Sequence, residues 1–168
     1  MFLEQWDAVR NSSDDLSKYR PTLSVPSDGY VQPYCDSPLD DEYLGENVYL
    51  NMINGAKRYV YITTPYFIPD ESVMRTLCIA GDGGVDVRLM LPGKPDHWYA
   101  DWVAESYFGN LLAHGVKIYR YTPGFLHAKS IMVDREAAFV GSVNMDYRSF
   151  ELHCECGVMV YGAPMIES

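Results

Sequence analysis

From residue 41 onward the apolar positions of this 168-residue chain switch regularly between a period near four and a period of two. Leu44, Val48 and Met52 stand at i, i+4 and i+8, which predicts a helix over Asp41–Asn54 with Gly55 near its end. Tyr59–Thr64 is rich in β-branched and aromatic residues and predicts a strand. Pro65–Pro69 reads as a loop, and Asp70 is placed to cap a helix through Ala80 that stops at Gly81-Asp82-Gly83-Gly84. Val85–Leu91 reads as a buried strand ending at Pro92-Gly93, Trp98–His114 as a helix closed by Gly115, and Val116–Tyr121 as the next strand. This β-α-β-α-β order implies parallel strands joined by right-handed crossovers. After Gly124 the pattern changes. Ser130–Val133 and Ala137–Val140, around Asp134-Arg135-Glu136, predict an antiparallel hairpin, and a last strand is expected from about Glu155 to Tyr161. The expected fold class is α/β: a mixed, largely parallel β-sheet flanked by helices, an α-β-α sandwich.

The first 40 residues lack this regularity. Phe2, Leu3, Trp6 and Val9 sit near helical spacing, so residues 1–20 read as a short amphipathic helix or a terminal arm. Four prolines between Pro21 and Asp41 predict an extended linker, with one short strand near Tyr30-Val31-Gln32. The expected division is an arm and linker over 1–40 and one domain over 41–168, without internal repeats.

Composition narrows the class. An apolar fraction of 48%, with 14 tyrosines, 6 phenylalanines and 3 tryptophans, is that of a folded domain. No apolar run reaches the roughly 18–20 residues that span a bilayer, and the acidic start carries no signal-peptide core. The chain as given is expected to be soluble. Its net charge is −10, with 10 acids against 3 bases in residues 1–50. No basic stripe stands out, so nucleic acid is not the favoured partner. Cys35, Cys78, Cys154 and Cys156 form no disulfide-rich framework and are expected as reduced thiols.

The chemistry concentrates in His127-x-Lys129-x4-Asp134-x6-Gly141-Ser142-x-Asn144. If the segments are extended, His127 and Lys129 share a face, as do Ser142 and Asn144, and a hairpin can bring the two pairs together. Lys129 and the Asn144 amide can stabilise the charge that builds on a phosphodiester's equatorial oxygens, and Ser142 can add a hydrogen bond. The His127 imidazole can attack phosphorus or protonate a leaving oxygen. Either role needs its second ring nitrogen held, and Glu155 is the candidate orienter. Asp134 lies at the turn and could act in the chemistry or simply hold the hairpin. In His153-Cys154-Glu155-Cys156, alternation sets His153 and Glu155 on one face and the thiols on the other, which disfavours a metal and predicts Cys154 and Cys156 as core thiols. Thr64–Pro69 follows a strand's carboxyl end, where α/β folds place ligand contacts; packing alone would also explain its aromatics.

This pattern resembles the phospholipase D superfamily, and most of all the second half of bacterial cardiolipin synthases. The likeness extends to Tyr61–Asp70, Gly84–Gly93, Gly124–Lys129 and Gly141–Phe150, and covers roughly residues 45–161. The resemblance implies two facing motifs, one histidine forming a phosphohistidine and the other protonating the leaving alcohol, with no metal or other cofactor. It implies His127 as the acid/base, Lys129, Ser142 and Asn144 on phosphate, and Glu155 behind His127, with Asp134 completing the catalytic signature. The implied reaction passes a phosphatidyl group from one phosphatidylglycerol to another at the bacterial cytoplasmic membrane. The partners are then an anionic phospholipid and either a missing N-terminal half or a second copy in a homodimer. The one-motif homodimeric phosphodiesterases and nucleases of the superfamily offer the alternative, and an inactive isolated fragment a third.

Overall fold

The computed structural model describes residues 2–13, 15–24, 26, 28–39 and 42–166. Its helices are α1 (Phe2–Arg10), α2 (Leu44–Gly55), α3 (Glu71–Asp82), α4 (Trp98–Ala113) and α5 (Tyr147–Glu151). Its strands are β1 (Tyr30–Asp36), β2 (Tyr59–Thr63), β3 (Phe67–Ile68), β4 (Asp86–Pro92), β5 (Lys117–Tyr121), β6 (Ser130–Val133), β7 (Ala137–Gly141), β8 (Met145–Asp146) and β9 (Glu155–Tyr161). The helix expected from Asp41 begins at Leu44; Asp41 itself lies outside the described residues.

Seven strands form one sheet in the order β1-β9-β7-β6-β2-β4-β5, and β3 pairs with β8 apart from it. Within the seven-stranded sheet only β2–β4 and β4–β5 run parallel, and the separate β3–β8 pair is parallel too. The pairings β2–β6, β6–β7, β7–β9 and β9–β1 are antiparallel. The expectation of a largely parallel sheet is therefore corrected: the α/β sandwich stands, but its sheet is mostly antiparallel. The crossovers through α3 and α4 fix a three-strand parallel block. A tight turn then sends β7 back along β6. After β8 and the short helix α5, β9 returns antiparallel to β7, and β1 from the N-terminal stretch adds antiparallel to β9 at the edge. The short strand expected near Tyr30-Val31-Gln32 is present as the start of β1, which runs on to Asp36 at the sheet's edge. Pro33 sits in β1, where one side of the strand needs no partner.

Alternation puts Val60, Ile62, Val87, Leu89, Ile131, Phe139 and Met159 on one buried face. There α2, α3 and α4 lie side by side over the sheet. Tyr49 of α2 meets Phe139 and Phe150 edge-on at 5.4 and 5.7 Å. Asp70 caps α3 as its position predicts, accepting from Val73 N at 2.9 Å. The other face of the parallel block is polar and aromatic: Tyr59 stacks on Tyr61, Arg88 lies over Tyr61, and Asp86 pairs with Arg88 and Lys117. Gly141 and Gly157 face each other across β7 and β9 under the Phe139 ring. A Cβ on Gly141 would meet the Cys156 carbonyl at 2.5 Å, so the motif glycine is set by strand approach.

One edge of the sheet collects the chemistry. The carboxyl ends of β2, β4, β5 and β7 lie beside the amino ends of β6 and β9, as the pairs Thr63–Ser130, Ser130–Val140 and Gly141–Gly157 require.

Candidate active site

His127 and Lys129 approach that edge on the segment leading into β6. Lys129 is 9% exposed, and its Nζ donates to the His127 carbonyl at 2.8 Å, so the lysine also shapes the backbone that presents the histidine. Burial pulls the Lys129 ammonium below the usual lysine value, against the opposing pull of the carboxylates of Glu155, Asp96 and Asp146. His127 is exposed. Its ring stacks on Phe125 at 5.6 Å and takes the Tyr66 ring edge-on at 6.0 Å.

Ser142 and Asn144 arrive from the end of β7. The Gly141 amide donates to the Lys129 carbonyl at 3.2 Å, which joins the two halves of the motif directly. Ser142 Oγ donates to Glu155 Oε2 and accepts from Cys156 N at 3.0 Å. Asn144 Nδ2 donates to Ser149 Oγ at 2.9 Å, and its buried Oδ1 has no hydrogen-bond partner among the described residues.

Glu155 opens β9 and is 6% exposed. Its second oxygen lies 3.5 Å from His153 Nδ1. Among the described residues Glu155 thus hydrogen-bonds with Ser142 and pairs with His153, while the His127 ring makes no hydrogen bond to it. Strand alternation separates Glu155 from Cys156 as expected, but with the faces exchanged. Glu155 points inward while Cys154 and Cys156 are exposed, which corrects their reading as core thiols.

The structure does not bring Asp134 to this group. It sits past the far end of β6, roughly 20 Å from His127 by the rise of an extended strand. Its buried carboxylate accepts from the backbone N–H groups of Lys57, Arg58 and Tyr59 at 2.7, 2.9 and 2.8 Å. Burial would raise its pKa, yet these three bonds and the Arg58 charge outweigh it and hold Asp134 below the usual carboxylate value. Asp134 and Arg135 both take positive φ, 54° and 59°, at this turn.

Beside Asn144 opens a cleft of about 240 Å3 whose walls include Tyr66, His97, Tyr99, Arg148 and His153. Thr64 holds one wall: its hydroxyl donates to the Tyr66 carbonyl at 2.8 Å and accepts from Met145 N at 3.2 Å. Tyr66 OH donates to Asp96 at 2.6 Å. Burial, then this bond, pushes the phenol well above its usual pKa. The strand-end position of Thr64–Pro69 signalled Tyr66. Nothing in the spacing signalled Asp96, His97 or Arg148. No cluster of His, Cys, Asp and Glu able to hold a metal occurs among the described residues.

Residues 49–168 match the family described as cardiolipin synthase, PLD-like domain. The chain belongs to that family.

Bacterial relatives agree. A cardiolipin synthase of Clostridium perfringens (strain 13 / Type A) is 48% identical over 174 residues, which take in 99% of this chain and 36% of that protein. A Streptococcus mutans protein described as uncharacterized is 45% identical over 163 residues, 96% of this chain and 35% of its own. The chain therefore spans about a third of the length of the curated relatives it matches. Among solved structures, the phospholipase D family member Nuc from Salmonella typhimurium shares the fold, with a TM-score of 0.66 at 21% identity over 82% of this chain and 87% of that one. The span matched by the PLD-like domain family contains every motif position and the whole cleft, while α1 and β1 precede it.

Proposed function

We propose that this chain supplies the C-terminal half of a cardiolipin synthase-type active site, with the domain over residues 41–168 as its catalytic half. A histidine of a second motif, contributed by the rest of a longer protein or by another copy, attacks the phosphorus of phosphatidylglycerol. As the new P–N bond forms, the P–O bond to glycerol breaks, and His127 gives its proton to the departing oxygen. The hydroxyl of a second phosphatidylglycerol then attacks phosphorus. His127 takes its proton, the P–N bond breaks, and cardiolipin leaves with the nucleophilic histidine restored. Lys129, Ser142 and Asn144 serve the phosphate, Glu155 positions the site from behind through Ser142, and no cofactor takes part.

The observation that carries this reading is the convergence of His127, Lys129, Ser142, Asn144 and Glu155 on one sheet edge. Likeness to cardiolipin synthases at 48% identity favours the lipid substrate. The lipid substrate places the full protein at the bacterial cytoplasmic membrane; no helix among the described residues is long and apolar enough to cross it. The test is to express the complete reading frame containing this chain and quantify cardiolipin made from phosphatidylglycerol vesicles. His127→Ala is expected to lower the rate about 10²–10⁴-fold. An unchanged rate overturns the proposal.

A second reading is a one-motif homodimeric phosphodiesterase that builds its site across a two-fold axis. It is favoured by the match to Nuc over 87% of that chain's length. It requires a dimer by light scattering and turnover of a simple phosphodiester by this chain alone.

A further inference from the structure

The geometry points to a second phosphate subsite in the cleft beside Asn144, with Arg148 as the group that binds the acceptor lipid's own phosphodiester. The inference rests on the transferase reading and names its acceptor class: an anionic glycerophospholipid, selected over a neutral alcohol.

Transfer between two phosphatidylglycerols presents the enzyme with two phosphates. The reacting one falls to Lys129, the buried cation of the motif. The acceptor carries its phosphate one glycerol's length from the hydroxyl that attacks, so it lies outside the reach of the same ammonium. An acceptor anion in this acidic chain therefore needs a separate cation close to the first site.

Arg148 meets those requirements. It is exposed, lines the cleft that Asn144 also lines, and its guanidinium has no hydrogen-bond or ion-pair partner among the described residues. The arginines of the parallel block are committed: Arg120 pairs with Asp101 and Glu105, and Arg88 with Asp86. The planar fork of a free arginine suits two phosphodiester oxygens at once. His97 and His153 bring further ring N–H groups to the same cleft. Its lining carboxylate, Asp146, is 8% exposed and accepts from Ser149 N at 2.8 Å, which spends part of its charge on the start of α5. Asn144, a motif residue, lines the same cleft as Arg148, so the reacting phosphate and the acceptor's phosphate would share a wall.

The test compares acceptors in the complete enzyme. Phosphatidylglycerol vesicles are supplied with ethanol, and cardiolipin and phosphatidylethanol are quantified together. Arg148→Gln is expected to lower the cardiolipin-to-phosphatidylethanol ratio at least about tenfold, through KM for the lipid acceptor, with Arg148→Lys recovering part of it. In parallel, sn-glycerol 3-phosphate is titrated against this chain by Trp and Tyr fluorescence, and Arg148→Gln is expected to weaken binding about tenfold or more. An unchanged product ratio, or glycerophosphate binding indifferent to Arg148, overturns the subsite. Wild-type enzyme that makes no phosphatidyl ester with any acceptor overturns the transferase reading instead, while the titration still decides whether Arg148 binds a glycerophosphate.

Discussion

Ser142 donates its hydroxyl proton to Glu155, so the motif's serine holds the carboxylate behind the site. This makes Ser142 a positioning residue as well as a candidate phosphate contact. Ser142→Ala leaves a 6% exposed carboxylate oxygen without its donor and removes the acceptor of Cys156 N. The expected cost is about 1–3 kcal/mol in urea unfolding. Ser142→Thr keeps the hydroxyl and should recover at least half of that loss. Equal stability of the alanine variant and wild type would show the contact to be idle.

Asp134 belongs to the sequence signature, yet its measurable role should be folding. It ties the β6–β7 turn to the entry of β2 through three backbone N–H groups. Asp134→Ala should cost about 3 kcal/mol or more, since buried donors lose a charged acceptor. The pH dependence follows from its lowered pKa. A depressed carboxylate contributes stability that is fully present above the unfolded value, about 3.9, and is lost as pH falls through the folded one. Wild type should therefore lose stability faster than Asp134→Ala on acidification below about pH 4. Parallel acid titrations followed by circular dichroism would reject the assignment.

Local periodicity carried the parallel block and the β6–β7 hairpin because each depends on neighbours in the chain. Its boundaries for β4, α4 and β9 fall within about two residues of the observed ones. Pairing across the chain was not legible. The strand expected at Tyr30-Val31-Gln32 continues through Pro33 to Asp36, and that extension rests on the long-range pairing with β9, which local pattern does not show. Alternation fixed that Glu155 and Cys156 point oppositely but not which of them faces inward. The motif spacing placed His127, Lys129, Ser142 and Asn144 on one edge. The cleft beside them escaped because Asp96, His97, Arg148 and His153 come from separate segments with no shared period.

Glu46 gives a pH effect of the opposite sign. Burial first, then the neighbouring Asp70 and Glu151, raise its pKa to about 7. A raised carboxylate opposes folding wherever the unfolded group would already be ionised. The penalty grows from the unfolded value, near 4.3, and is complete above pH 7. Glu46 keeps partial contact with water, so the loss of wild-type stability between pH 5 and 8 should be on the order of 1–2 kcal/mol. Glu46→Gln removes the titrating group while keeping its size. Its Tm should exceed wild type at pH 8 and converge with it near pH 5. Identical Tm profiles across that range would contradict the assigned environment.

The edge strand makes a chemical prediction that is independent of lipid. Cys35 of β1 stands directly opposite Cys156 of β9, and both thiols are exposed and free. Cys156 turns its N–H and C=O toward Ser142 on the β7 side, so it makes no ladder bonds to β1. Pro33, two residues from Cys35, lacks the N–H that a bonded position would use, which fits the same alternation. The cysteines therefore form a non-hydrogen-bonded pair, whose Cα atoms lie about 4.5 Å apart in antiparallel sheets, within the roughly 4.4–6.8 Å that a disulfide spans. Oxidised glutathione should convert them: two thiols and one glutathione disulfide give the Cys35–Cys156 bond and two glutathiones. Free thiols under denaturing conditions should fall from four to two per chain, and peptide mapping should recover a Cys35–Cys156 cross-link that Cys35→Ser abolishes. A cross-link to Cys154 instead, or four thiols surviving oxidation, would show that β1 and β9 do not hold this register in solution.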